Sequence, residues 1–287
     1  MSEVLKIGVV GIGLIGGSLL KALRKVENYE VYAVSSSETT INKILKQNLA
    51  IEASVDFNIL KPCDVVFIAT PMDKILETID KIDKIVSEDC IITDAGSLKG
   101  FILDFVNKKP VPLKFIGGHP MAGTEKKGID AAQDYLFVNA KWVLTPSKWV
   151  SESEIEFLTK IIYKIQAQVI LTEASQHDIA VALISHMPML LSQALFSALD
   201  HYEDENIKNL ALKLAASGFR DMTRLAMTNP EMAGYMITQN TQNILEAVNL
   251  VQDEAKKLLD KAYFDSIIES IIKNRSSMYS ADGKNNL

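Results

Sequence analysis

The segment FIGGHPMAGTEKKG, Phe115 to Gly128, sets His119 between a glycine pair and Pro120, with Glu125, Lys126 and Lys127 just behind. An imidazole titrating near ~6.5 is suited to proton transfer close to neutrality. An isolated loop histidine is otherwise an ordinary solvated or structural residue. A second set opens the chain: in GIGLIGGS, Gly11, Gly13 and Gly16 have the GxGxxG spacing, directly after an apolar run and before a helical one. Gly11 permits the tight turn, and Gly13 lets the backbone approach a pyrophosphate. Gly16 lets the helix lie close to its strand, and the helix N-terminus favours the phosphate charge. Spacing and context together predict a site for NAD or NADP.

Other strand ends extend that site. Where a carboxylate often holds the adenosine ribose, the chain has Ser35, Ser36 and Ser37, with Glu38 farther on. The missing carboxylate removes repulsion against a 2′-phosphate, and Ser35 offers a hydroxyl, but no arginine stands beside it. The choice between NAD and NADP stays open. VVFIATP places Thr70 and Pro71 past a buried strand, and IITDAGS places Asp94 and Ser97 past another. Ligands of open parallel sheets bind outside the carboxyl ends of the strands, which makes Thr70, Pro71 and Asp94 cofactor-site candidates. Asp94 fits a turn or N-cap equally well, and Ser97 also fits as the cap of a helix over 98–106.

The elements that must position these residues fall into two regimes. Residues 1–172 hold eleven of the 14 glycines and six of the 8 prolines. Apolar runs at Lys6–Val10, Glu30–Val34, Val65–Ala69, Cys90–Thr93, Phe115–Gly117, Lys141–Leu144 and Val169–Leu171 read as strands. Helical stretches at Ser18–Val26, Thr39–Gln47 and Met72–Ile85 separate the early ones. Short apolar strands alternating with helices indicate a parallel sheet covered on both faces, an α/β Rossmann-type dinucleotide-binding domain over 1–172. From 173 to 287 the spacing turns helical: Ala180, Leu183, Ile184 and Met187, then Leu190, Leu191, Ala194 and Leu195. Segments 206–217, 230–260 and 261–280 continue the pattern, with Pro230 suited to a first helical turn. An all-α second domain is expected, ending in a frayed tail from Ser280.

Composition narrows the function classes. With 287 residues, 48% hydrophobic and 23% charged, the chain is an ordinary globular one. A net charge of −6 gives no basic footprint, so neither nucleic acid nor an anionic membrane is an expected partner. Cys63 and Cys90 form no CxxC pair, so no metal site is expected and a reducing cytoplasm fits best. Ile7–Leu20 is apolar but contains five glycines and follows no basic cluster, which reads as strand and turn rather than a targeting segment.

Taken in order, GxGxxGGS, DAGSLKG, GGHPMAGTEKKG, SHMP and SGFRDMTR resemble the prephenate/arogenate dehydrogenase family of tyrosine biosynthesis, from Ile7 to about Tyr279. The resemblance implies oxidative decarboxylation of a cyclohexadienyl substrate, prephenate or arogenate, by a cytoplasmic homodimer whose helical domains meet. It matches His119 to the histidine that takes the ring-hydroxyl proton. Ser97 matches a serine that hydrogen-bonds that histidine or the hydroxyl. Glu125 matches a carboxylate at the site entrance, and His186 a histidine lining the substrate pocket. Arg224 matches the arginine that binds a substrate carboxylate, which suits the bidentate pairing of guanidinium with carboxylate. Asp221, three residues earlier, falls on the same helical face and is a candidate to orient an arginine or form an ion pair near the site. Arg220 is read as a peripheral or dimer contact, Lys126 and Lys127 as surface charges, and His177 and His201 as surface residues.

One departure concerns Ala233 in NPEMAGYM, where the family often has tryptophan near the pocket. It leaves the choice between prephenate and arogenate open. No room follows the helical segments for a ligand-sensing domain, so any inhibition by tyrosine is expected to compete at the active site. Two other classes are weighed against this reading. A two-domain NAD(P) reductase of hydroxy acids generally relies on a lysine of its helical domain, and the histidine block argues against it. A non-catalytic NAD(P) sensor has no need of His119, Ser97 and Arg224 together.

Overall fold

The computed structural model describes residues 4–124 and 126–279; Glu125 and the tail 280–287 lie outside the described residues. In chain order the strands are β1 (Leu5–Val10), β2 (Tyr29–Val34), β3 (Glu52–Ser54), β4 (Val65–Ile68), β5 (Ile91–Asp94), β6 (Phe115–Pro120), β7 (Lys141–Pro146) and β8 (Gln168–Leu171). The first helices are α1 (Leu14–Leu23), α2 (Glu38–Lys46), α3 (Ile75–Asp83), α4 (Gly100–Asn107) and α5 (Glu152–Lys164). One sheet contains all eight strands, in the order β3-β2-β1-β4-β5-β6-β7-β8.

Alternation along each strand builds two cores, because successive side chains point to opposite faces. Ile7, Val9, Phe67 and Trp142 meet Leu19 and Leu23 of α1 and Leu158 and Ile161 of α5 on one face. Val10, Val66, Ile68 and Phe115 meet Ile75 and Ile79 of α3 and Ile102 and Val106 of α4 on the other. Strand order reverses between β1 and β4, which opens a crevice at their carboxyl ends.

Three features depart from the expected α/β pattern. β3 has only three residues, too few to carry a periodic signal. β6 and β7 pair antiparallel. The described residues of the segment between them contain a 3-10 turn, Ile129–Ala131, and no crossover helix, and only an antiparallel neighbour can be reached without one. α1 begins at Leu14, inside the glycine loop, rather than at Ser18. Packing overrides the poor helix propensity of glycine there, since a Cβ on Gly17 would sit 2.8 Å from the Ala132 side chain.

Beyond β8 the described residues are helical: α6 (Ala174–Val181), a π-helical turn (Ala182–His186), α7 (Met187–Asp200), α8 (Glu205–Leu214), α9 (Ser217–Met222), a 3-10 turn (Arg224–Met227), α10 (Pro230–Gln239), α11 (Thr241–Leu258) and α12 (Lys261–Met278). The single helix expected over 230–260 is two, broken at Asn240. Asn229 caps α10 by accepting from the Met232 N–H at 3.0 Å, and Pro230 takes the first helical position. By length and composition the run Ala174–Asp200 could cross a membrane. Its His177, Asp178 and His186 are nevertheless buried, as in a core helix. The helical cores are small, one built on Ala182, Met187, Ile244 and Ala247 and another on Met189, Ala233 and Met236. Leu214, Met227 and Leu259 remain 71%, 89% and 87% exposed, more apolar surface than a helical layer ordinarily leaves to water.

Candidate active site at the carboxyl ends of the strands

The three glycines of the loop are there for different reasons. Gly11 has φ +89°, and a Cβ on it would lie 2.6 Å from the Thr70 nitrogen. A Cβ on Gly16 would lie 2.0 Å from the Gly11 oxygen, so α1 can approach β1 only with glycine at this position. Around Gly13 nothing comes within 4 Å of the added carbon. That open space fronts the N-terminus of α1, whose cap residue Gly13 offers no side-chain partner to the first N–H groups. Such an N-terminus accommodates a pyrophosphate. On the opposite lip, Thr70 Oγ1 and Ser97 Oγ are buried without a hydrogen-bond partner, a condition that a bound polar ligand relieves. Pro71 follows as an exposed N-cap of the 3-10 turn Met72–Lys74. Ser35 lies just past the end of β2, buried, with its hydroxyl accepting from the Ser37 N–H at 3.3 Å. These residues fit a dinucleotide.

Asp94 does not join them, which corrects its reading as a cofactor contact. It is 0% exposed, and its carboxylate is committed to the protein. It pairs with the ammonium of Lys99, itself 0% exposed, and accepts from the N–H groups of Gly96 at 2.8 Å and Gly118 at 3.0 Å. Lys99 Nζ in turn donates to the Gly118 carbonyl at 2.7 Å. The β5–β6 ladder ends at Thr93 and Ile116, so the Gly118 peptide beyond it needs other partners. Asp94 and Lys99 supply one on each side and fix the backbone immediately before His119. Burial pushes the Lys99 ammonium down, against the opposing pull of Asp94 and Asp178. Gly118 must be glycine, because a Cβ would come 2.3 Å from the Asp94 carbonyl. Ser97 caps nothing: α4 begins without a side-chain cap on its own segment.

His119, half-buried, holds its Nδ1 2.9 Å from His177 Nε2. His177 Nδ1 lies 2.7 Å from Asp178 Oδ1. His177 is therefore not the expected surface residue; it is 3% exposed and contacts the candidate base. Asp178 accepts from the backbone N–H groups of Lys99 at 2.9 Å and Gly100 at 2.7 Å, and so caps α4 from the helical half. His186 lies deeper, 1% exposed, with Nδ1 3.2 Å from the amide nitrogen of Asn240. That nitrogen also donates to the Asp178 carbonyl at 2.9 Å, so His186 Nδ1 is the acceptor and its proton sits on Nε2. Burial holds the His119 imidazole well below its usual range, and His177, Lys99 and His186 push the same way. Burial, helped by His177 and opposed by Asp178, pushes His186 down to about 4. Both rings are neutral at physiological pH, and a neutral imidazole can accept a proton.

A glycine loop set against a crevice and a neutral histidine at the next strand ends describe many dinucleotide enzymes; the sequence comparison is narrower. Residues 19–171 match the model of the prephenate dehydrogenase nucleotide-binding domain, and residues 173–266 that of the prephenate dehydrogenase dimerization domain. The chain belongs to the prephenate dehydrogenase family. A prephenate dehydrogenase of Bacillus subtilis is 30% identical over 96% of this chain and 71% of its own length. Among solved structures, an arogenate dehydrogenase of Synechocystis is 36% identical with a TM-score of 0.81, covering 93% of this chain and 92% of its own. A prephenate dehydrogenase of A. aeolicus, in complex with hydroxyphenyl propionate and NAD+, is 27% identical with a TM-score of 0.84, covering 94% and 97%.

The remaining residues singled out in the sequence take no part in these hydrogen bonds. Arg224 opens the 3-10 turn that packs on α7; it is exposed and has no ion-pair partner among the described residues. Asp221 forms an exposed ion pair with its neighbour Arg220, whose Nε lies 3.1 Å from the carboxylate. Glu125 lies outside the described residues. Ala233, 3% exposed, packs with Met189 and Met236. His201 and the lysine pair are exposed, as read from sequence. Sequence reasoning missed Lys99, His177, Asp178 and Asn240. His177 and His186 are nine residues apart, which on a regular helix turning about 100° per residue puts them on opposite faces. The π-helical turn between them rotates less per residue and lets both face inward. One signal was legible: Gly100, where a Cβ would meet the Asp178 carboxylate at 2.7 Å, marks a close approach.

Proposed function

We propose that the protein is an NAD(P)-dependent prephenate dehydrogenase, converting prephenate to 4-hydroxyphenylpyruvate and CO2 in tyrosine biosynthesis. The observation that carries this reading is a neutral His119 at the end of β6, beside the glycine-loop crevice, with one ring nitrogen already engaged. Bound at Gly11, Gly13 and Gly16, with Ser35 at the ribose and Thr70 and Pro71 on the far lip, the dinucleotide supplies the hydride acceptor. His119 Nε2 takes the proton of the ring hydroxyl, and the Ser97 hydroxyl orients that same group. Aromatisation of the ring provides most of the driving force, so the protein mainly has to position and to accept one proton. Arg224 pairs a substrate carboxylate, neutral His186 lines the pocket, Asp221 supplies an ion pair near the site, and Glu125 takes the role of entrance carboxylate that the family resemblance gives it.

Arogenate, giving tyrosine directly, is the second reading. It is favoured by the 36% identity to the Synechocystis arogenate dehydrogenase. The dimer belongs to the same proposal: two copies in the cytoplasm join through the exposed apolar faces of the helical half. Purified protein assayed with prephenate and arogenate, each with NAD and with NADP, tests both readings. Turnover of prephenate supports the first and turnover of arogenate alone the second. Cofactor binding with neither turnover would leave the non-catalytic sensor.

A further inference from the structure

His119 is joined to the helical half by an unbroken chain of hydrogen bonds, and the polarity of that chain can be worked out from its far end. Asp178 is a carboxylate that already accepts two backbone N–H bonds, from Lys99 and Gly100. Toward His177, 2.7 Å away, it can only accept again, so His177 carries its proton on Nδ1. In neutral His177 the Nε2 atom is then an acceptor. The short contact from His119 Nδ1, 2.9 Å long, must therefore be a donation from His119 to His177. His119 is left with its proton on Nδ1 and a lone pair on Nε2.

We propose that His177 and Asp178 are positioning residues that fix the tautomer of His119, presenting Nε2 as the base, and that offset the charge His119 acquires. When the substrate hydroxyl gives up its proton, its O–H bond breaks and an N–H bond forms at His119 Nε2. The resulting imidazolium keeps its Nδ1–H donation to His177, and the Asp178 carboxylate stands at the end of the same chain. Neither positioning residue gains or loses a proton. A fixed hydrogen-bond acceptor of this kind, backed by a carboxylate, favours the protonated product of the step more than its reactant, which is the condition for lowering a barrier. Because Asp178 also caps α4, the geometry of the base depends on docking of the helical half against the sheet.

This inference rests on the dehydrogenase reading for its rate effects, but not for its tautomer. The chain has only 4 histidines, so ring-15N-labelled protein gives a short, assignable set of signals. Long-range 1H–15N spectra at neutral pH should show His119 protonated on Nδ1 in the wild-type chain. A proton on Nε2 overturns the proposal whatever the substrate proves to be. His177→Leu should lower kcat by about 10²-fold, the lower end of what a general base contributes, with KM held within about threefold. His177→Gln, whose side-chain oxygen can accept from His119 Nδ1–H, should restore most of that loss. Equal activity of the Leu variant and the wild type, or equal impairment of the Leu and Gln variants, would overturn the positioning role. Should neither prephenate nor arogenate turn over, the dehydrogenase reading fails, and the spectrum still decides the tautomer.

Discussion

The two halves of the molecule hold their polar groups in opposite ways. Around β5 and β6 the charged groups that hold the base are paired: Asp94 and Lys99 grip the Gly118 peptide, and Asp178 caps α4 while ordering His177 and His119. In the helical half, Arg224 stands exposed without an ionic partner among the described residues, and Leu214, Met227 and Leu259 face outward. Under the proposed function, the difference follows from what each half is for. A base must be held at a fixed distance before substrate arrives, because misplacement of about 1 Å can cost two orders of magnitude in rate. A guanidinium that binds a carboxylate must be left unpaired until the ligand comes, and apolar faces left open invite a second copy.

If this contrast is right, damage to the paired cluster around His119, whichever half supplies the residue, should abolish chemistry or folding, and damage to the open surface of the helical half should weaken binding. The largest effect is expected for His119→Ala, with turnover falling by roughly 10²–10⁴ while cofactor affinity stays within a few-fold. Side-by-side kinetics and cofactor titration check it, and near-normal turnover would remove His119 from the mechanism. Lys99→Met leaves Asp94 buried and unpaired, so urea unfolding should show a loss of about 3–5 kcal/mol. Adding Asp94→Asn should recover part of it, and a Lys99→Met protein of wild-type stability would refute the clamp.

The buried histidine at the junction predicts a smaller, pH-dependent effect. The unfolded chain protonates His186 near 6.5, whereas the folded chain resists protonation until about 4. Its stabilising contribution is therefore complete above 6.5 and is lost as the pH falls toward 4. The loss is on the order of 3 kcal/mol, and unfolding curves across that range should be flatter for His186→Gln. The smallest effect belongs to the open half. Arg224→Ala should raise KM with kcat little changed, losing about 1.5–3 kcal/mol of substrate binding. A fall in kcat with KM unchanged would place Arg224 on the structural side of the comparison.

What could be read from sequence divides along the same line. Strands buried on both faces announce themselves as VVFI or IGVV, and the glycine loop and the block around His119 carry their chemistry in contiguous residues. Asp94 was legible as special but not as inward-facing, because its partners are Lys99 five residues on and Gly118 across the sheet. His177 was misread because a π-helical turn breaks the regular spacing that would have related it to His186. Asn240 sits in the middle of an apparently continuous helical pattern, and only its bonds to Asp178 and His186 explain the break there. Side chains satisfied by distant segments leave no local signal.

That His119 is a neutral base held ready by its paired surroundings is tested most directly by the pH dependence of kcat/KM with the preferred substrate and cofactor. Because His119 is held well below the 6.5 of a free imidazole, kcat/KM should stay flat from neutrality down through that value and fall only at lower pH. An acid limb centred at or above 6.5 would mean that the histidine is charged when it should be accepting a proton, and would contradict the account.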